Sequence, residues 1–376
     1  MSIVGKPVEE VPTPALLLDL DKMDWNIEKM MGFAREAGVQ VRPHAKTFKA
    51  AAICNRLLEA GACGVLTQKL GEAEALVNSG ILYGDKTLLV SQEIAEPSKL
   101  EALVGLSVAM GEGRVLATVD NLQGAERLSQ AAEGWGVRQD VVVEVSHGRC
   151  GVAPGAEAVK LVKRLARLPG LRFRGIYGYE GPVEAELALR RNRETVETAE
   201  AIRREGIEVE IVSAGSTATY MVTGTYPGVT EIQPGSFVFG VGPEGSGYGW
   251  RSPNGVFFKS SLSVLTQVVG DNFPDRVVTD AGSKALSEGH RGADPVAKVR
   301  FEGEPLEVKE VRLSEEHAII GFEEGSPQRS RLRWGDKLEL VPSHCCTAVN
   351  QHDEVVVVKG GRVCAVWPVT ARGKYR

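Results

Sequence analysis

The sequence is poor in several features that define whole classes of protein. It has 6 cysteines in 376 residues, too few for the disulfide framework of small secreted domains. It has no run of about 20 apolar residues that would cross a bilayer, and its first residues lack the charged-then-apolar order of a signal peptide. It also lacks runs of lysine or arginine, and its net charge is −5, which is not the footprint of a nucleic-acid binder. We therefore expect a cytoplasmic protein with neither a membrane nor a nucleic acid as partner.

The composition that remains is that of a folded protein with more than one core. Hydrophobic residues make up 43% and charged residues 25% of the chain, as in ordinary globular proteins. Glycine and proline, at 43 and 18 residues, stay below the share that indicates disorder. The length predicts two domains.

Strand and helix patterns alternate from residue 14 to about residue 239. Short aliphatic runs are followed by longer stretches with apolar residues at three- and four-residue spacing, which is typical of βα units around a parallel sheet. The predicted strands are 15–20, 39–42, 64–68, 87–91, 115–119, 141–145, 173–177, 209–212 and 231–239. About eight such units predict an α/β fold with a (β/α)8 TIM-type barrel, whose active site lies at the carboxyl ends of the strands.

The pattern changes after about residue 240. Short β-rich runs follow one another, separated by glycine, proline and charged turns, without long amphipathic helices. This predicts a mostly antiparallel β-domain. We place the barrel in residues 1–245 and the β-domain in residues 246–376, with the alternative that the N-terminal segment joins the β-domain.

Lys46 lies just after the predicted strand 39–42, at the rim where a barrel active site forms. A catalytic lysine that forms a Schiff base needs partial burial and cationic neighbours. Arg42, His44 and Lys49 supply such neighbours in the sequence. The alternative interpretation is a solvated lysine that opens a helix, since most lysines are exposed.

Two turns of small residues follow late strands of the predicted barrel. In such turns backbone N–H groups and hydroxyls approach a phosphate, and barrels often bind phosphate with their last loops. Each turn alone is weak support, but together with an early rim lysine they indicate pyridoxal phosphate as cofactor. The candidate phosphate-binding residues are Ser213, Gly215, Ser216 and Thr217 in the first turn and Gly235, Ser236 and Phe237 in the second.

A metal pair is predicted near the end of the chain, in the run His344-Cys345-Cys346. In an extended segment residues two apart face the same side, so His344 and Cys346 could bind one ion while Cys345 points away. Imidazole and thiolate suit zinc. The alternative is a partly buried histidine beside two small hydrophobic residues. Two ligands are an incomplete set, so water, substrate or a carboxylate would complete the coordination, as in catalytic sites.

Other polar residues follow predicted strands and could face the same rim. Arg149 and Tyr179 do so in the barrel, with a surface arginine and a core tyrosine as the default explanations. Asp280 and the pair Glu316-His317 do so in the β-domain, where turn roles explain them equally well.

These residues fall in motifs that resemble, in order and over residues 13–374, the D-threonine aldolase and D-serine dehydratase family. This is a family of fold-type III pyridoxal-phosphate enzymes whose barrel is related to that of alanine racemase. The motifs are 43–47 (PHAKT), 148–151 (GRCG), 178–181 (GYEG), 213–220 (SAGSTATY), 234–236 (PGS), 280–282 (DAG), 316–317 (EH), 342–344 (PSH) and 367–368 (WP).

The resemblance implies a pyridoxal-phosphate barrel followed by a β-domain, paired as a homodimer with sites near the subunit interface. It implies that Lys46 carries the cofactor, that both small-residue turns bind its phosphate, and that Gln68, Arg149 and Tyr179 line its ring. His344 and Cys346 match the divalent-metal pair of the family, for which zinc is favoured, with manganese and magnesium as alternatives. The candidate catalytic residues are Lys46, His44, Tyr179 and His317.

The resemblance also implies a small-molecule substrate, a D-3-hydroxy amino acid, and it leaves two reactions open. A dehydratase removes the α-proton and expels the β-hydroxyl, giving a keto acid and ammonia. An aldolase deprotonates the β-hydroxyl and breaks the Cα–Cβ bond, giving glycine and an aldehyde. One cofactor serves both reactions, because it stabilises either carbanion.

Two sequence differences favour D-serine dehydratase-like elimination over D-threonine aldolase chemistry. The second metal residue is Cys346, where well-known aldolases have aspartate. The histidine that aldolases tend to place after the Tyr-x-Gly turn is Ala185 here, with Glu184 and Glu186 as substitute bases.

Two other functions fit the sequence less well. An amino-acid racemase needs a second base opposite Lys46, and the sequence identifies none. A non-catalytic carrier of pyridoxal phosphate would not need a whole β-domain or a metal pair.

Overall fold

The structure is a computed structural model that describes residues 2–81, 84–240, 249–251, 257–288 and 296–376. These residues form two compact units. The β-rich unit comprises Met1–Lys29, Thr47–Ala50 and Ser236–Gly373, and the barrel unit comprises Met30–Lys46, Ala51–Gly235 and Lys374–Arg376. The predicted domain boundary at residues 245/246 lies outside the described residues.

The strands are, in chain order, β1 (Ala15–Asp19), β2 (Gln40–Val41), β3 (Gly64–Thr67), β4 (Thr87–Glu93), β5 (Val115–Val119), β6 (Gln139–Val145), β7 (Leu171–Gly178), β8 (Ile211–Ala214), β9 (Glu231–Ile232), β10 (Gly249–Arg251), β11 (Phe257–Lys259), β12 (Leu262–Phe273), β13 (Arg276–Thr279), β14 (Ala297–Phe301), β15 (Glu304–Leu306), β16 (Glu310–Leu313), β17 (Ala318–Gly321), β18 (Lys337–Pro342), β19 (Glu354–Lys359) and β20 (Arg362–Pro368).

The helices are α1 (Leu20–Ala37), α2 (Ala51–Glu59), α3 (Leu70–Asn78), α4 (Pro97–Met110), α5 (Leu122–Gly134), α6 (Ala156–Leu165), α7 (Ala185–Arg204), α8 (Tyr220–Gly224), α9 (Ser283–Leu286), α10 (Pro327–Ser330) and α11 (Cys345–Val349). Short 3₁₀ helices span Val8–Glu10, Ala45–Thr47 and Ser236–Val238. Within the described part of the chain, none of the helices combines the length and the apolar character needed to cross a membrane.

The barrel unit is built on a parallel sheet. Its strands are hydrogen-bonded in the order β2-β9-β8-β7-β6-β5-β4-β3, and each neighbouring pair is parallel. The central strands β5 and β6 are buried along their whole length, as expected for aliphatic strands covered on both faces. Among the described residues these eight strands form a near-closed barrel, so the predicted α/β fold with a TIM-type barrel is confirmed.

The barrel closes where the segment 41–44 bridges β9 and β3. The N–H group of His44 donates to the carbonyl of Pro234 on the β9 side (3.0 Å). The carbonyl of Pro43 accepts from the N–H group of Leu66 in β3 (3.0 Å). The segment therefore acts as the closing strand, although only its first residue lies within β2.

Two predicted strands of the barrel series differ in the structure. The predicted strand 15–20 is β1, but it pairs antiparallel with β12 and parallel with β19 in the other sheet, because a periodic pattern indicates a strand without indicating its neighbours. The predicted strand 231–239 ends early, after β9. Pro234 has no N–H group to continue the ladder, and the chain then turns into the 3₁₀ helix Ser236–Val238.

The β-rich unit is organised around a branched sheet. Its main path runs β15-β14-β18-β12-β1-β19-β20, and β13, β17 and β16 branch from β12. Apart from β1 with β19, the pairs in this described sheet are antiparallel, so the predicted mostly antiparallel β-domain is confirmed. One part of its core contains Val11, Leu17, Leu265, Val356 and Val363.

A buried ion pair ties the closing segment of the barrel to β9. The guanidinium of Arg42 donates to both carboxylate oxygens of Glu231 (2.9 Å each) and to the hydroxyl of Thr87 (2.8 Å). Arg42 and Glu231 are 3% and 4% exposed. The two-point geometry offsets the cost of burying both charges.

Glu231→Ala should lower the free energy of unfolding by about 3–5 kcal/mol, because it leaves the Arg42 charge buried without its partner. The matched control is Glu205→Ala, which breaks the exposed pair with Lys163 (2.6 Å) and should cost less than about 1 kcal/mol. Urea unfolding of both variants measures the difference. Equal losses would contradict the importance of the buried pair.

Candidate active site

The carboxyl ends of the barrel strands bring together the residues predicted to surround the cofactor. In a parallel barrel all these ends meet at one rim. The residues are Lys46 shortly after β2, Gln68 after β3, Arg149 after β6, Tyr179 after β7, and the first small-residue turn at the end of β8.

Lys46 and Arg149 both contact the ring of Tyr179. The Nζ atom of Lys46 is 5.6 Å from the ring centroid, and the guanidinium carbon of Arg149 is 5.5 Å from it. At such distances the face of an aromatic ring attracts cations. The Tyr179 ring therefore holds the predicted cofactor lysine and the predicted ring-lining arginine at one place on the rim.

His44, two residues before Lys46, is buried and neutral. Burial and the charge of Lys46 hold the pKa of the imidazole well below its usual value. Its Nδ1 atom is 3.2 Å from the carbonyl oxygen of Leu66, which can only accept, so we assign the proton to Nδ1. The side chain also hydrogen-bonds Gln68. These contacts place His44 in the barrel closure, and its catalytic role stays a prediction.

Gln68 is fixed at the start of α3. The buried carboxylate of Glu72 accepts the N–H groups of Gln68 and Lys69 (3.0 and 3.2 Å). A glutamate that reaches back to the start of its own helix in this way satisfies N–H groups that have no partner within the helix. Gln68 thus has a defined position beside His44.

The first small-residue turn is shaped by hydrogen bonds within the protein. Gly215 has a φ of +90°, a left-handed conformation that glycine adopts without strain. Its N–H group donates to Glu180 (2.8 Å), and the N–H group of Ser216 donates to the hydroxyl of Thr219 (3.0 Å). These two backbone amides already donate to protein acceptors and are not available to a phosphate. The predicted phosphate contacts of this turn are therefore the hydroxyls of Ser216 and Thr217.

A second set of hydrogen bonds links the two small-residue turns. The N–H group of Gly235 donates to the hydroxyl of Thr217 (3.2 Å). The fully buried hydroxyl of Ser213 accepts from the side chain of Gln233 (2.7 Å). Phosphate binding by Ser213 and Gly235 stays a prediction, while their observed contacts hold the turns in place.

Ser236 and Phe237 begin the 3₁₀ helix Ser236–Val238 and belong to the β-rich unit. Phe237 is fully buried, and its ring centroid is 5.9 Å from that of Phe258. The side chain of Phe237 is therefore part of the core, and a contact with the cofactor would have to come from its backbone.

His344 and Cys346 lie at the start of α11 in the β-rich unit. His344 has an extended backbone, but Cys346 is already in the helix, so the expectation of a fully extended segment is wrong. The side chains still meet. Hydrogen bonds with Cys345 and His344 hold the pKa of the Cys346 thiol well below its usual value, and the thiol is 3.5 Å from the hydroxyl of Thr47. An imidazole beside a thiolate fits zinc.

The metal pair has no third protein ligand in the described residues, where no group of three or more histidine, cysteine, aspartate or glutamate side chains is arranged to hold an ion. His344 and Cys346 alone match the incomplete set that the sequence predicts. Catalytic metal sites keep positions for water or substrate in the same way. Metal binding by this pair stays a prediction.

His317 lies in the exposed turn between β16 and β17 of the β-rich unit. In the same turn Glu315 and Glu316 pair with Lys284 (3.0 and 2.7 Å). The catalytic role of His317 stays a prediction. Asp280 accepts hydrogen bonds from two threonine hydroxyls and one backbone amide of the same unit. These contacts agree with the alternative explanation of Asp280 as a structural residue of a turn.

The first turn of α7 holds the position where family aldolases tend to have a histidine. Ala185 is the first residue of this helix, and the side chains of Glu184 and Glu186 are exposed. His147 does not replace the missing base, because its Nε2 is 3.1 Å from the hydroxyl of Thr195 and burial lowers the pKa of its imidazole to about 4.

Sequence reasoning misses an acidic pair inside the barrel. Glu144, in β6, is 3% exposed, accepts a hydrogen bond from Tyr177 (2.5 Å) and lies 3.9 Å from Arg149. Glu93, at the end of β4, hydrogen-bonds Glu144; burial and this neighbour raise the pKa of Glu93 to about 8. The signal in the sequence is a single charged residue within the aliphatic run VVVEV at 141–145.

Comparison with known proteins decides the family. Residues 18–243 match the family model described as "Alanine racemase, N-terminal domain", and residues 261–358 match "Putative serine dehydratase domain". A 3-hydroxy-D-aspartate aldolase from Paracoccus denitrificans (strain Pd 1222) is 34% identical over 99% of this chain and 95% of its own length. The chain belongs to the D-threonine aldolase and D-serine dehydratase family.

Two further members of the family show its range. The crystal structure of D-threonine aldolase from Filomicrobium marinum matches with a TM-score of 0.87 and 34% identity, covering 100% of both chains. A D-threo-3-hydroxyaspartate dehydratase from Delftia sp. (strain HT23) is 27% identical over 89% of this chain and 90% of its own length. The predicted family is confirmed, and so, at the level of the family, is the predicted class of pyridoxal-phosphate-dependent lyase.

The proton on Glu93 gives a testable pH dependence. The folded protein holds this proton up to about pH 8, whereas an unfolded glutamate releases it near pH 4.3. Between these values the folded state binds more protons, so the contribution of Glu93 to stability falls as pH rises. Glu93→Gln removes this titration, and its free energy of unfolding relative to the unsubstituted protein should increase from pH 5 to pH 8.

The control is Glu96→Gln, because Glu96 is exposed and its pKa is lowered by the hydroxyl of Ser98 and by Lys99. The difference in free energy of unfolding between Glu96→Gln and the unsubstituted protein should not change over the same pH range. Urea unfolding at pH 5, 6.5 and 8 measures both. A flat difference for Glu93→Gln would show that the proton is not held.

Proposed function

We propose that this chain is a pyridoxal-phosphate lyase that uses a divalent metal ion and converts a D-3-hydroxy amino acid to a keto acid and ammonia. The observation that carries the proposal is the placement of Lys46 and Arg149 on the ring of Tyr179, at the strand ends of a barrel of this family. The small-molecule substrate class follows from the aldolases and the dehydratase that the chain resembles.

The residues of the barrel rim fit pyridoxal phosphate. Lys46 would hold its carbonyl carbon, Arg149 and Tyr179 would meet its ring, and the hydroxyls of Ser216 and Thr217 would meet its phosphate. The left-handed Gly215 keeps this turn in shape, because a Cβ atom there would lie 3.3 Å from Thr223. When bound, the cofactor withdraws electrons from the α-carbon of an amino acid.

The side chains of the chain supply the remaining steps. The amine of Lys46 takes the α-proton of the substrate at its Nζ atom. The ring of Tyr179 keeps this amine at the rim through its contact with Nζ. His44, neutral and donating to Leu66, adds no charge that would compete for the substrate carboxylate, whereas Arg149 does offer a charge to it.

His344 and Cys346 would hold the metal ion. Their imidazole and thiolate favour zinc, with manganese or magnesium as weaker fits. A bound ion supplies Lewis acidity that helps the β-hydroxyl to leave. The paired homodimer and the cytoplasmic location stay predictions.

The first turn of α7 favours elimination over retro-aldol cleavage. Retro-aldol cleavage needs a base that takes the proton of the β-hydroxyl, and Ala185 offers none. Glu184 and Glu186 are exposed, and His147 is held by Thr195. Elimination needs no such base, because the hydroxyl leaves together with its proton.

Retro-aldol cleavage to glycine and an aldehyde is the second candidate. It is favoured by one observation, the 34% identity of this chain to a 3-hydroxy-D-aspartate aldolase and to a D-threonine aldolase over nearly their whole lengths. The dehydratase is less similar, at 27% identity.

Product analysis separates the two reactions. Purified protein with pyridoxal phosphate and Zn²⁺ or Mn²⁺ is offered D-serine, D-threonine and D-threo-3-hydroxyaspartate in parallel. We expect a keto acid and ammonia from at least one of them. Glycine and an aldehyde would replace the proposal by the second candidate, and no turnover of any of the three would overturn the assignment as a lyase.

Lys46 is tested in the same assay. Lys46→Arg keeps a cation on the Tyr179 ring but has no amine to bind the cofactor or to take the α-proton, so it should lose turnover and the visible absorbance of bound cofactor. A yellow, active Lys46→Arg protein would contradict the cofactor assignment.

The metal pair is tested by Cys346→Ala. This variant should lose most of its activity and its response to added Zn²⁺, yet retain the visible absorbance of bound cofactor, because it removes a metal ligand only. The control is Cys364→Ala, which changes an exposed cysteine. It should leave the activity, the response to Zn²⁺ and the visible absorbance unchanged. If chelation does not slow the unsubstituted enzyme, the pair is not a catalytic metal site.

A further inference from the structure

Glu180 is a deeply buried carboxylate that the proposed chemistry does not use. It directly follows Tyr179 and is 1% exposed. Burial raises the pKa of its carboxyl group. A buried carboxylate is costly unless hydrogen bonds satisfy it, so the groups that satisfy Glu180 show what it does.

Three neutral donors converge on this carboxylate. The N–H group of Gly215 donates to Oε2 (2.8 Å), and the hydroxyls of Thr219 and Thr223 donate to Oε1 (2.7 and 2.8 Å). All three belong to the first small-residue turn and to α8, which follows it. Glu180, two residues beyond the end of β7, therefore holds the turn that follows β8.

The hydrogen bonds continue from the carboxylate into the turn. The proton of the Thr219 hydroxyl is committed to Glu180, so its oxygen accepts from the N–H group of Ser216 (3.0 Å). The Ser216 hydroxyl oxygen lies 3.0 Å from that of Thr219 and 3.4 Å from the carbonyl oxygen of Gly181, and its single proton would rotate from these acceptors to a phosphate that binds. The orientation of Ser216 thus depends on Glu180 through Thr219.

Glu180 also fixes the backbone of the turn. Gly215 has a φ of +90°, a conformation that is one of several open to glycine. The hydrogen bond from its N–H group to Glu180 selects this one. Losing the carboxylate would leave a buried amide without an acceptor, which destabilises this conformation of the turn.

We propose that Glu180 is a positioning residue for the phosphate of the cofactor. It holds Gly215 directly, and it holds Ser216 through Thr219, in the arrangement that receives the phosphate. Glu180 itself is the neighbour of Tyr179 in the sequence. The inference rests on the proposed cofactor site. It adds to that site a residue that contacts neither the cofactor nor the substrate.

Apo forms of the protein and of Glu180→Ala are titrated with pyridoxal phosphate, followed by visible absorbance. The dissociation constant should rise about 10-fold or more in the variant, as expected when a buried donor loses its acceptor. Glu180→Gln should lie between the two, because its amide oxygen accepts from Gly215 and its NH₂ group meets threonine oxygens.

Inorganic phosphate serves as a second probe, independent of activity and of Lys46. It should raise the thermal unfolding midpoint of the apo protein and have little effect on that of Glu180→Ala. An equal rise in both would overturn the proposed role in positioning the phosphate.

The matched control is Asp140→Ala. Asp140 is a buried carboxylate of the same unit, at the opposite end of the barrel, and its partners are Arg172 and Arg174. This variant should be less stable, yet bind pyridoxal phosphate within about 2-fold of the unsubstituted protein, because additive effects are expected for distant sites. An equal loss of affinity in Asp140→Ala and Glu180→Ala would attribute the effect to stability and overturn the inference.

The outcomes separate the inference from the proposed function. If the unsubstituted apo protein does not take up pyridoxal phosphate, the proposed function fails. If it does and Glu180→Ala binds equally well, only the inference fails. Should Glu180→Ala not fold, Thr223→Val removes one donor to the carboxylate while keeping the shape of the side chain. It should weaken binding about 3-fold, and unchanged binding would overturn the inference.

Discussion

The position of Lys46 depends on the four-residue segment at which the barrel closes. Alternate residues of 41–44 bond to β9 on one side and to β3 on the other. Pro43 has no N–H group to offer β3, and the imidazole of His44 supplies a donor to β3 instead. Because Lys46 follows two residues later, a change in this closure would move its amine relative to the ring of Tyr179.

Three buried carboxylates of the barrel unit have different roles because their partners differ. Glu231 meets Arg42, and both are buried, so their pair stabilises the closure. Glu144 lies beside Arg149, whose side chain is 57% exposed, so this attraction is weakened by solvent and serves orientation more than stability. The carboxylate of Glu180 meets only neutral donors in its described contacts, from the first small-residue turn and from α8, so its effect is to set the shape of that turn.

The barrel and much of its rim can be predicted from the sequence because buried parallel strands read as aliphatic runs, and Lys46, Arg149 and Tyr179 follow such runs. The sheet to which the strand 15–20 belongs cannot be predicted in this way, since its partners β12 and β19 are far along the chain. The role of Glu180 is hidden for the same reason. Its donors Gly215 and Thr219 are 35 and 39 residues away, and only the packed barrel brings them together.

The sequence identity to aldolases and the absence of a histidine at Ala185 in the first turn of α7 do not conflict, because they concern different parts of the reaction. Identity over the whole chain reflects the fold and, under the proposed function, the steps that both reactions share, namely holding the cofactor and placing Lys46. The choice between the reactions depends on which group receives the proton of the β-hydroxyl. With Ala185 at the expected position and with Glu184 and Glu186 exposed, the described first turn of α7 offers no buried base for the β-hydroxyl proton, which is why we propose elimination rather than retro-aldol cleavage.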